Sequence, residues 1–276
     1  MNFTAALVQL RSGRDMARNF EDASGMIREA HSRGARFVAT PEMTNIIEPD
    51  RERLKAFAKL EAEDESVAGF AELARRLGLW LNIGSLALKG AAEKLVNRSL
   101  LFSPRGGIVA RYDKIHLFDV DLPDGQSLRE SHAYEAGCRM CVSKLPWAKV
   151  GMTICYDVRF PALYSKLARS GAEVVTVPSA FTVPTGRAHW HVLMRARAIE
   201  TGCFVLAAAQ GGRHESGRET FGHSLAVSPW GEVLAEAGSE PGVFTVEIDV
   251  AQVAEARRRI PALQHKRPFT LKGTLT

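Results

Sequence analysis

Cysteine is scarce in this chain, with four residues in 276. So few thiols exclude the dense disulfide framework of a small secreted domain, and Cys138, Cys141, Cys155 and Cys203 are expected to be reduced. Long apolar runs are lacking too. The longest, Cys203 to Ala209, falls far short of the roughly 20 residues a helix needs to span a bilayer. No basic stretch followed by an apolar run opens the chain, so no secretory leader is expected and the cytoplasm is the expected location. Nor is there a strong excess of one charge: 36 basic against 31 acidic residues leave a net +5. The clearest basic groups, Arg257-Arg258-Arg259 and His265-Lys266-Arg267, are short and have no interleaved aromatics. They read as solvated surface or subunit contact, since a nucleic-acid footprint needs a wide basic face. Internal repeats and low-complexity linkers are also missing.

What is present is an ordinary globular composition, 46% apolar and 24% charged, enough to bury a sizeable core. Phe3–Leu10 is an apolar run of strand length. Met16, Phe20, Ala23, Ile27 and Ala30 then recur at helical spacing until Gly34, where a glycine suits the helix end. Arg36–Thr40 is a short strand, and this strand–helix–strand opening predicts an α/β architecture. A helix over Ser66–Leu77 and a strand from Leu79 follow. Leu95–Phe102 and Gly107–Tyr112 are strands around a Gly/Pro-rich turn, hence an antiparallel hairpin. Further strands are predicted at 140–145, 148–155, 173–177, 203–209, 224–228, 233–237 and 243–248. Helices are predicted at 161–170, 187–200 and 250–259. Strands spread over the whole length predict one domain, residues 1–276, of mixed α/β type with two sheets.

Several motifs compete for a chemical role. Gly222-His-Ser-Leu-Ala226 approaches a serine elbow, but it leads into another strand instead of a helix. Cys138-Arg-Met-Cys141 has metal-knuckle spacing without a second ligand pair. His189 and His191, two apart on a helix, point away from each other. No metal site is expected from these residues. Cys155 is more pointed, because it ends a strand just ahead of a helix, where ligands gather in open α/β sheets. Arg159 and the helix N-terminus should favour its thiolate. Glu42 follows the strand Arg36–Thr40 directly, and Lys114 follows Gly107–Tyr112 in the same way. If neighbouring strands end together, a carboxylate, an ammonium and a thiol converge as base, oxyanion stabiliser and nucleophile. The residues alone leave the other reading open: three unrelated surface groups and a core cysteine.

Thr40-Pro-Glu-Met43, Tyr112-Asp-Lys-Ile-His-Leu-Phe-Asp119 and Gly151-Met-Thr-Ile-Cys-Tyr-Asp-Val-Arg-Phe-Pro161 resemble, in order and separation, the three catalytic boxes of the nitrilase superfamily of carbon–nitrogen hydrolases. The likeness runs from Ala5 to Asp249. Stretches from Pro178 to Thr201 and from Phe221 to Val233 look like its Nit branch. The resemblance implies a four-layer α-β-β-α sandwich that dimerises, and a Glu42–Lys114–Cys155 triad. Glu130 matches a second glutamate near the triad in many members. Cys138 and Cys141 are outside the pattern, and Asp121–Leu128 is a variable region able to reshape the pocket.

The resemblance also implies amide hydrolysis through a thioester, a chemistry that requires no cofactor. Its small-molecule substrate would carry carboxylates: the ω-amide of an α-keto acid, deaminated glutathione first and α-ketoglutaramate as the alternative. Tyr156 would add a backbone N–H to the oxyanion site. Arg159 would hold a substrate carboxylate or, alternatively, brace the site against Asp157 or Glu173. Phe181, Thr182 and Thr185 would line the pocket. An acyltransferase, or a non-catalytic interaction protein on the same scaffold, remains a reading of another class. The tail from about 260 to 276 is expected at the surface or a subunit interface, in a homodimer or higher homo-oligomer.

Overall fold

The computed structural model describes residues 1–90, 94–121, 125 and 127–270. Most of the variable stretch between Asp121 and Leu128, and the last six residues of the tail, lie outside the described residues. Five strands, β1 (Asn2–Gln9), β2 (Phe37–Ala39), β3 (Trp80–Lys89), β4 (Leu95–Phe102) and β5 (Ile108–Asp113), alternate with helices α1 (Met16–Ser32), α2 (Arg51–Phe57) and α3 (Glu65–Leu77) in the first half. A small hairpin, β6 (Asp119–Asp121) and β7 (Ser127–Arg129), follows. The second half runs β8 (Cys141–Lys144), β9 (Lys149–Met152), α4 (Pro161–Arg169), β10 (Val174–Thr176), α5 (Val183–Thr201) and β11 (Phe204–Ala207). Then come the hairpin β12 (Gly211–Arg213) and β13 (Glu219–Phe221), β14 (Leu225–Val227), β15 (Val233–Glu236), β16 (Gly242–Asp249) and α6 (Ala251–Arg259).

Among the described residues the strands form two six-stranded sheets, ordered β16-β1-β2-β3-β4-β5 and β15-β14-β11-β10-β9-β8. Both follow one plan. Three parallel strands sit inside (β1, β2, β3 or β9, β10, β11), one antiparallel strand flanks the first, and two antiparallel strands follow the last. The halves thus share a topology that no sequence repeat announces.

The period-2 alternation of strands explains the layers. Phe3, Ala5 and Leu7 of β1 point into a core shared with Val150, Met152, Val174 and Val205 of the other sheet. Ala6, Val8 and Leu10 point the other way, onto Ala23, Ile27 and Ala30 of α1 and Phe70 and Leu73 of α3. On the far side, Trp190, Met194 and Ala198 of α5 and Leu163 and Leu167 of α4 cover the second sheet. The result is the α-β-β-α sandwich. Each fully buried aliphatic side chain in it contributes about 1.5–3 kcal/mol of transfer free energy.

The helices begin where side chains can cap them. Asp15 accepts from the Arg18 N–H ahead of α1, and Asp64 from Ser66 and Val67 ahead of α3, which ends on left-handed Gly78. Helix α5 starts at Val183, four residues earlier than the spacing predicts, because Pro184 fits the first turn. The strand expected through Cys155 stops at Met152. Sequence patterning also misses α2, where Leu54 alone is buried, and both short hairpins.

Strand β3 carries an irregularity between Ile83 and Leu86. Here Gly84 lets two loops meet: a Cβ on it would lie 2.0 Å from the Thr40 carbonyl oxygen and 2.4 Å from Pro178 Cβ. The first loop carries Glu42, and the Pro178 carbonyl accepts from the Cys155 N–H. Gly84→Ala is therefore expected to lower unfolding free energy by about 1–3 kcal/mol and to cut activity. Urea denaturation with an unchanged midpoint would contradict this packing.

Candidate active site

After β9 the chain extends through Ile154 and then winds into a short 3-10 turn, Cys155–Arg159. Cys155 has φ 47°, a left-handed conformation uncommon for a side-chain-bearing residue. Two contacts hold it there. The Cys155 N–H donates to the Pro178 carbonyl at 2.9 Å, and the Ile154 N–H donates to Asp157 Oδ2 at 2.8 Å. Asp157 also reaches across to the other sheet. Its Oδ2 accepts from the Tyr112 hydroxyl at 2.7 Å, and its Oδ1 from the His116 N–H at 3.0 Å and ring Nδ1 at 2.7 Å. His116 stacks on Phe160, with centroids 3.5 Å apart. One carboxylate therefore clamps the turn carrying Cys155 to the segment carrying Lys114.

Lys114 extends the β4–β5 ladder by one bond, its N–H donating to the Asn97 carbonyl. Its ammonium, 2% exposed, lies 2.8 Å from Glu42 Oε1 and 2.8 Å from Glu130 Oε2. Asn97 Nδ2 donates to the same two carboxylates at 3.0 and 3.1 Å. That double demand fixes its amide orientation and leaves Asn97 Oδ1 unpaired. Glu42 Oε2 accepts from the Ala180 N–H at 2.9 Å, and Gln210 Nε2 holds the Glu42 carbonyl at 3.0 Å. Glu130 additionally accepts from the Phe118 N–H at 2.6 Å. Glu42 and Lys114 come from β2 and β5, which are not neighbours. They meet because β3 and β4 between them alternate direction, so β2 and β5 run the same way.

The electrostatics follow from burial and proximity. Burial pushes the Glu42 carboxyl up, but the Lys114 charge and the hydrogen bonds of Lys114, Cys155 and Asn97 outweigh it, holding Glu42 below 4.5. Burial opposes the Lys114 charge, yet Glu130 and Glu42 keep the ammonium well above 10.5. The Cys155 thiol goes far up, first by burial and then by the Glu42 charge, with Lys114 opposing only in part. Arg159 and the helix start were expected to favour the thiolate; burial and the Glu42 charge instead favour the thiol. Tyr134, buried against this cluster with its hydroxyl 3.6 Å from Met43 Sδ, is also pushed up, by burial and then by Glu130 and Glu42.

Arg159 braces neither Asp157 nor Glu173. Asp157 is committed as described, and Glu173 Oε2 accepts from the Lys149 N–H. The Arg159 guanidinium instead lies 5.8 Å over the Tyr156 ring and 5.6 Å over Phe181, facing His189 Nδ1 at 3.3 Å. Tyr156 packs edge-on to Phe118 and Phe160. Phe181 is buried against Trp190, while Thr182 and Thr185 hydrogen-bond each other at 2.8 Å. Sequence reasoning missed Asn97, Tyr134, Asp157 and Gln210. Asn97, a polar residue inside the apolar strand Leu95–Phe102, was the one with a readable signal. Of the other motifs, Ser224 is a core residue bonded to Gln9 and the Ala209 N–H.

A set of carboxylate, ammonium and thiol at strand ends between two sheets is the equipment of a hydrolase that works on carbon–nitrogen bonds. The profile of the carbon–nitrogen hydrolase family matches residues 4–258, and the chain belongs to that family. A deaminated glutathione amidase of Yersinia enterocolitica is 39% identical over 96% of this chain and 93% of its own length. The crystal structure of the Caenorhabditis elegans NitFhit protein is similar with a TM-score of 0.91 and 36% identity, over 96% of this chain and 65% of that one. An amidase from Nesterenkonia sp. AN1, with the acetamide moiety of fluoroacetamide added covalently at its active site cysteine, matches with a TM-score of 0.80 and 26% identity, covering 96% of this chain and 94% of that one.

Asp157→Asn retains one acceptor oxygen and turns an NH2 toward groups that are themselves donors. It should cost about 1–3 kcal/mol of stability and lower kcat more than it raises KM, because it loosens the clamp between Cys155 and Lys114. Wild-type kcat in a variant with the lowered melting temperature would contradict the clamp.

Proposed function

We propose that this carbon–nitrogen hydrolase cleaves the ω-amide bond of an α-keto acid amide, with deaminated glutathione as substrate. The observation that carries this reading is the buried Lys114 ammonium lying 2.8 Å from Glu42, whose carboxylate faces Cys155. Relatives named deaminated glutathione amidase, near 39% identity over almost the full chain, supply the substrate.

In the resting enzyme Glu42 is ionised and Cys155 carries its proton. As the Cys155 sulfur attacks the amide carbonyl, Glu42 takes the thiol proton, so the net charge of the cluster does not change. The carbonyl oxygen becomes an oxyanion held by the Lys114 ammonium and the Tyr156 N–H. Protonated Glu42 then gives its proton to the departing nitrogen, the C–N bond breaks, and cysteinylglycine leaves as a free amine. The acyl group remains on sulfur as a thioester. Water attacks next and gives a proton to Glu42; the C–S bond breaks, Glu42 returns that proton to the sulfur, and the acid product loses its remaining proton to solvent as a carboxylate. Glu130 keeps Lys114 charged and aimed. Arg159, with no carboxylate among its partners within the described residues, is the group for a substrate carboxylate. Phe181, Thr182 and Thr185 form the pocket wall beside it.

Residues 1–276 form one catalytic unit in this reading, working as a homodimer in the cytoplasm. No helix of the described residues is long and apolar enough to cross a membrane, and all four cysteines are free thiols. Ile199, Trp230 and Ile260 expose apolar surface and line a groove of about 350 Å³ together with Arg257 and Leu263. A second copy would cover this face, with residues from about 260 onward as part of it.

Kinetics test the proposal. kcat/KM for deaminated glutathione should exceed that for α-ketoglutaramate, and the reverse order would reassign the substrate. Cys155→Ala should remain folded without turnover. Glu42 acts as the ionised base and is held low, so the acid limb of kcat/KM should fall below the 4.5 of an ordinary glutamate. A limb well above that value would point to another base.

A further inference from the structure

Helix α5 carries two histidines, His189 and His191, whose side chains diverge. His189 turns to Arg159 at 3.3 Å, whereas His191 turns outward to the edge strand β15. There it meets His223, from the link between β13 and β14, and Glu236, at the end of β15. His191 Nε2 lies 2.8 Å and His223 Nδ1 3.1 Å from the same oxygen, Glu236 Oε1. The three donor atoms all lie within 4.8 Å of one another. We propose that His191, His223 and Glu236 form a binding site for one divalent transition-metal ion of the zinc class, separate from the Cys155 cluster.

The spacing suits such an ion. Zinc holds imidazole nitrogen at about 2.0–2.1 Å and carboxylate oxygen at about 2.0–2.2 Å, so neighbouring ligand atoms around it stand roughly 3 Å apart. The separations from Glu236 to either histidine are already of that size. Two imidazoles and one carboxylate are borderline donors that favour zinc, nickel or copper over magnesium or calcium, which take oxygen sets. The side chains are between 31% and 38% exposed, so an ion has a path in and a fourth position can be filled by water. Binding would replace the two ring N–H···O contacts, each ring then carrying its proton on the nitrogen turned away from the ion.

The ligands are also held in place, which a chance surface trio would not require. His223 has φ 54°, a left-handed backbone in a residue with a side chain. Its N–H donates to the Gly238 carbonyl at 2.8 Å, and its own carbonyl accepts from Trp190 Nε1 at 2.8 Å. The His223 ring stacks on Phe221 at 4.3 Å, and His191 meets the same ring edge-on. Phe221 in turn donates its N–H to the Phe181 carbonyl, next to the Ala180 N–H that holds Glu42. A bound ion would therefore tie α5, β15 and the β13–β14 link together behind the substrate loop.

Calorimetric titration of the full chain with zinc chloride, in a Cys138→Ser/Cys141→Ser background that removes the two thiols that are not buried, tests the site. The expected result is one ion per chain, no binding of magnesium, and affinity about tenfold weaker or worse in His191→Ala and in His223→Ala. Melting curves of the apo proteins report whether these variants fold, and Glu236→Gln, which keeps the shape, provides the same test should either histidine variant not fold. The absence of saturable zinc binding in the Cys138→Ser/Cys141→Ser background would overturn the proposal. Stoichiometry and affinity unchanged across all three ligand variants would overturn it equally.

Discussion

A single ammonium group governs this site. Lys114 is 2% exposed and lies between two carboxylates, each 2.8 Å away. Removing such charges from water costs several kcal/mol per ion, and buried pairs of this kind are poor stabilisers of a fold. What the arrangement provides is a fixed charge balance. Burial first, and then the Glu42 charge, hold the Cys155 thiol above its ordinary range, which suits the proposed role of Glu42 as the group that receives its proton. In the proposed mechanism reactivity resides in the base instead of in a preformed thiolate. This also keeps a low-pKa sulfur, the form most open to oxidation, from standing exposed between turnovers.

The fold exists, in this view, to hold that balance across two sheets. Glu42 and Lys114 belong to the first sheet and Cys155 to the second, and each sits just past the carboxyl end of a strand. Asp157, fully buried, joins the two by accepting from Ile154 on one side and from Tyr112 and His116 on the other. The Ala180 N–H, after β10, closes the ring by donating to Glu42. The repeated strand plan makes this geometry natural, since both sheets present parallel strand ends toward the same cleft.

Most of the fold could be read from periodicity. Alternation along β1 and the 3–4 spacing of Ala23, Ile27 and Ala30 describe real buried faces, and the β4–β5 hairpin follows from its turn. Elements with little burial left no such trace: α2 buries Leu54 alone, and the three-residue strands of both hairpins are too short to alternate. In the site, the place of Glu42, Lys114 and Cys155 just past strand ends was legible, and the resemblance joined them. Their supports were not. Asn97, Asp157 and Gln210 act through contacts between residues 55, 45 and 168 positions apart in sequence, which no local pattern encodes. The expectation that the thiolate would be favoured failed for the same reason: Arg159 and the helix start are near Cys155 in sequence, while Glu42 is near it only in space.

The most direct test is to catch the acyl group on sulfur. Rapid-quench mass spectrometry of the wild-type chain mixed with deaminated glutathione, with a Glu42→Gln variant beside it, should find an α-ketoglutaryl adduct on the wild-type peptide containing Cys155. Cysteinylglycine should be released in step with it. In the variant, which lacks both the base for the thiol proton and the acid for the leaving nitrogen, adduct and cysteinylglycine should form orders of magnitude more slowly. Product formed with the acyl group mapped to Cys138 or Cys141, or to no cysteine in either protein, would contradict the account.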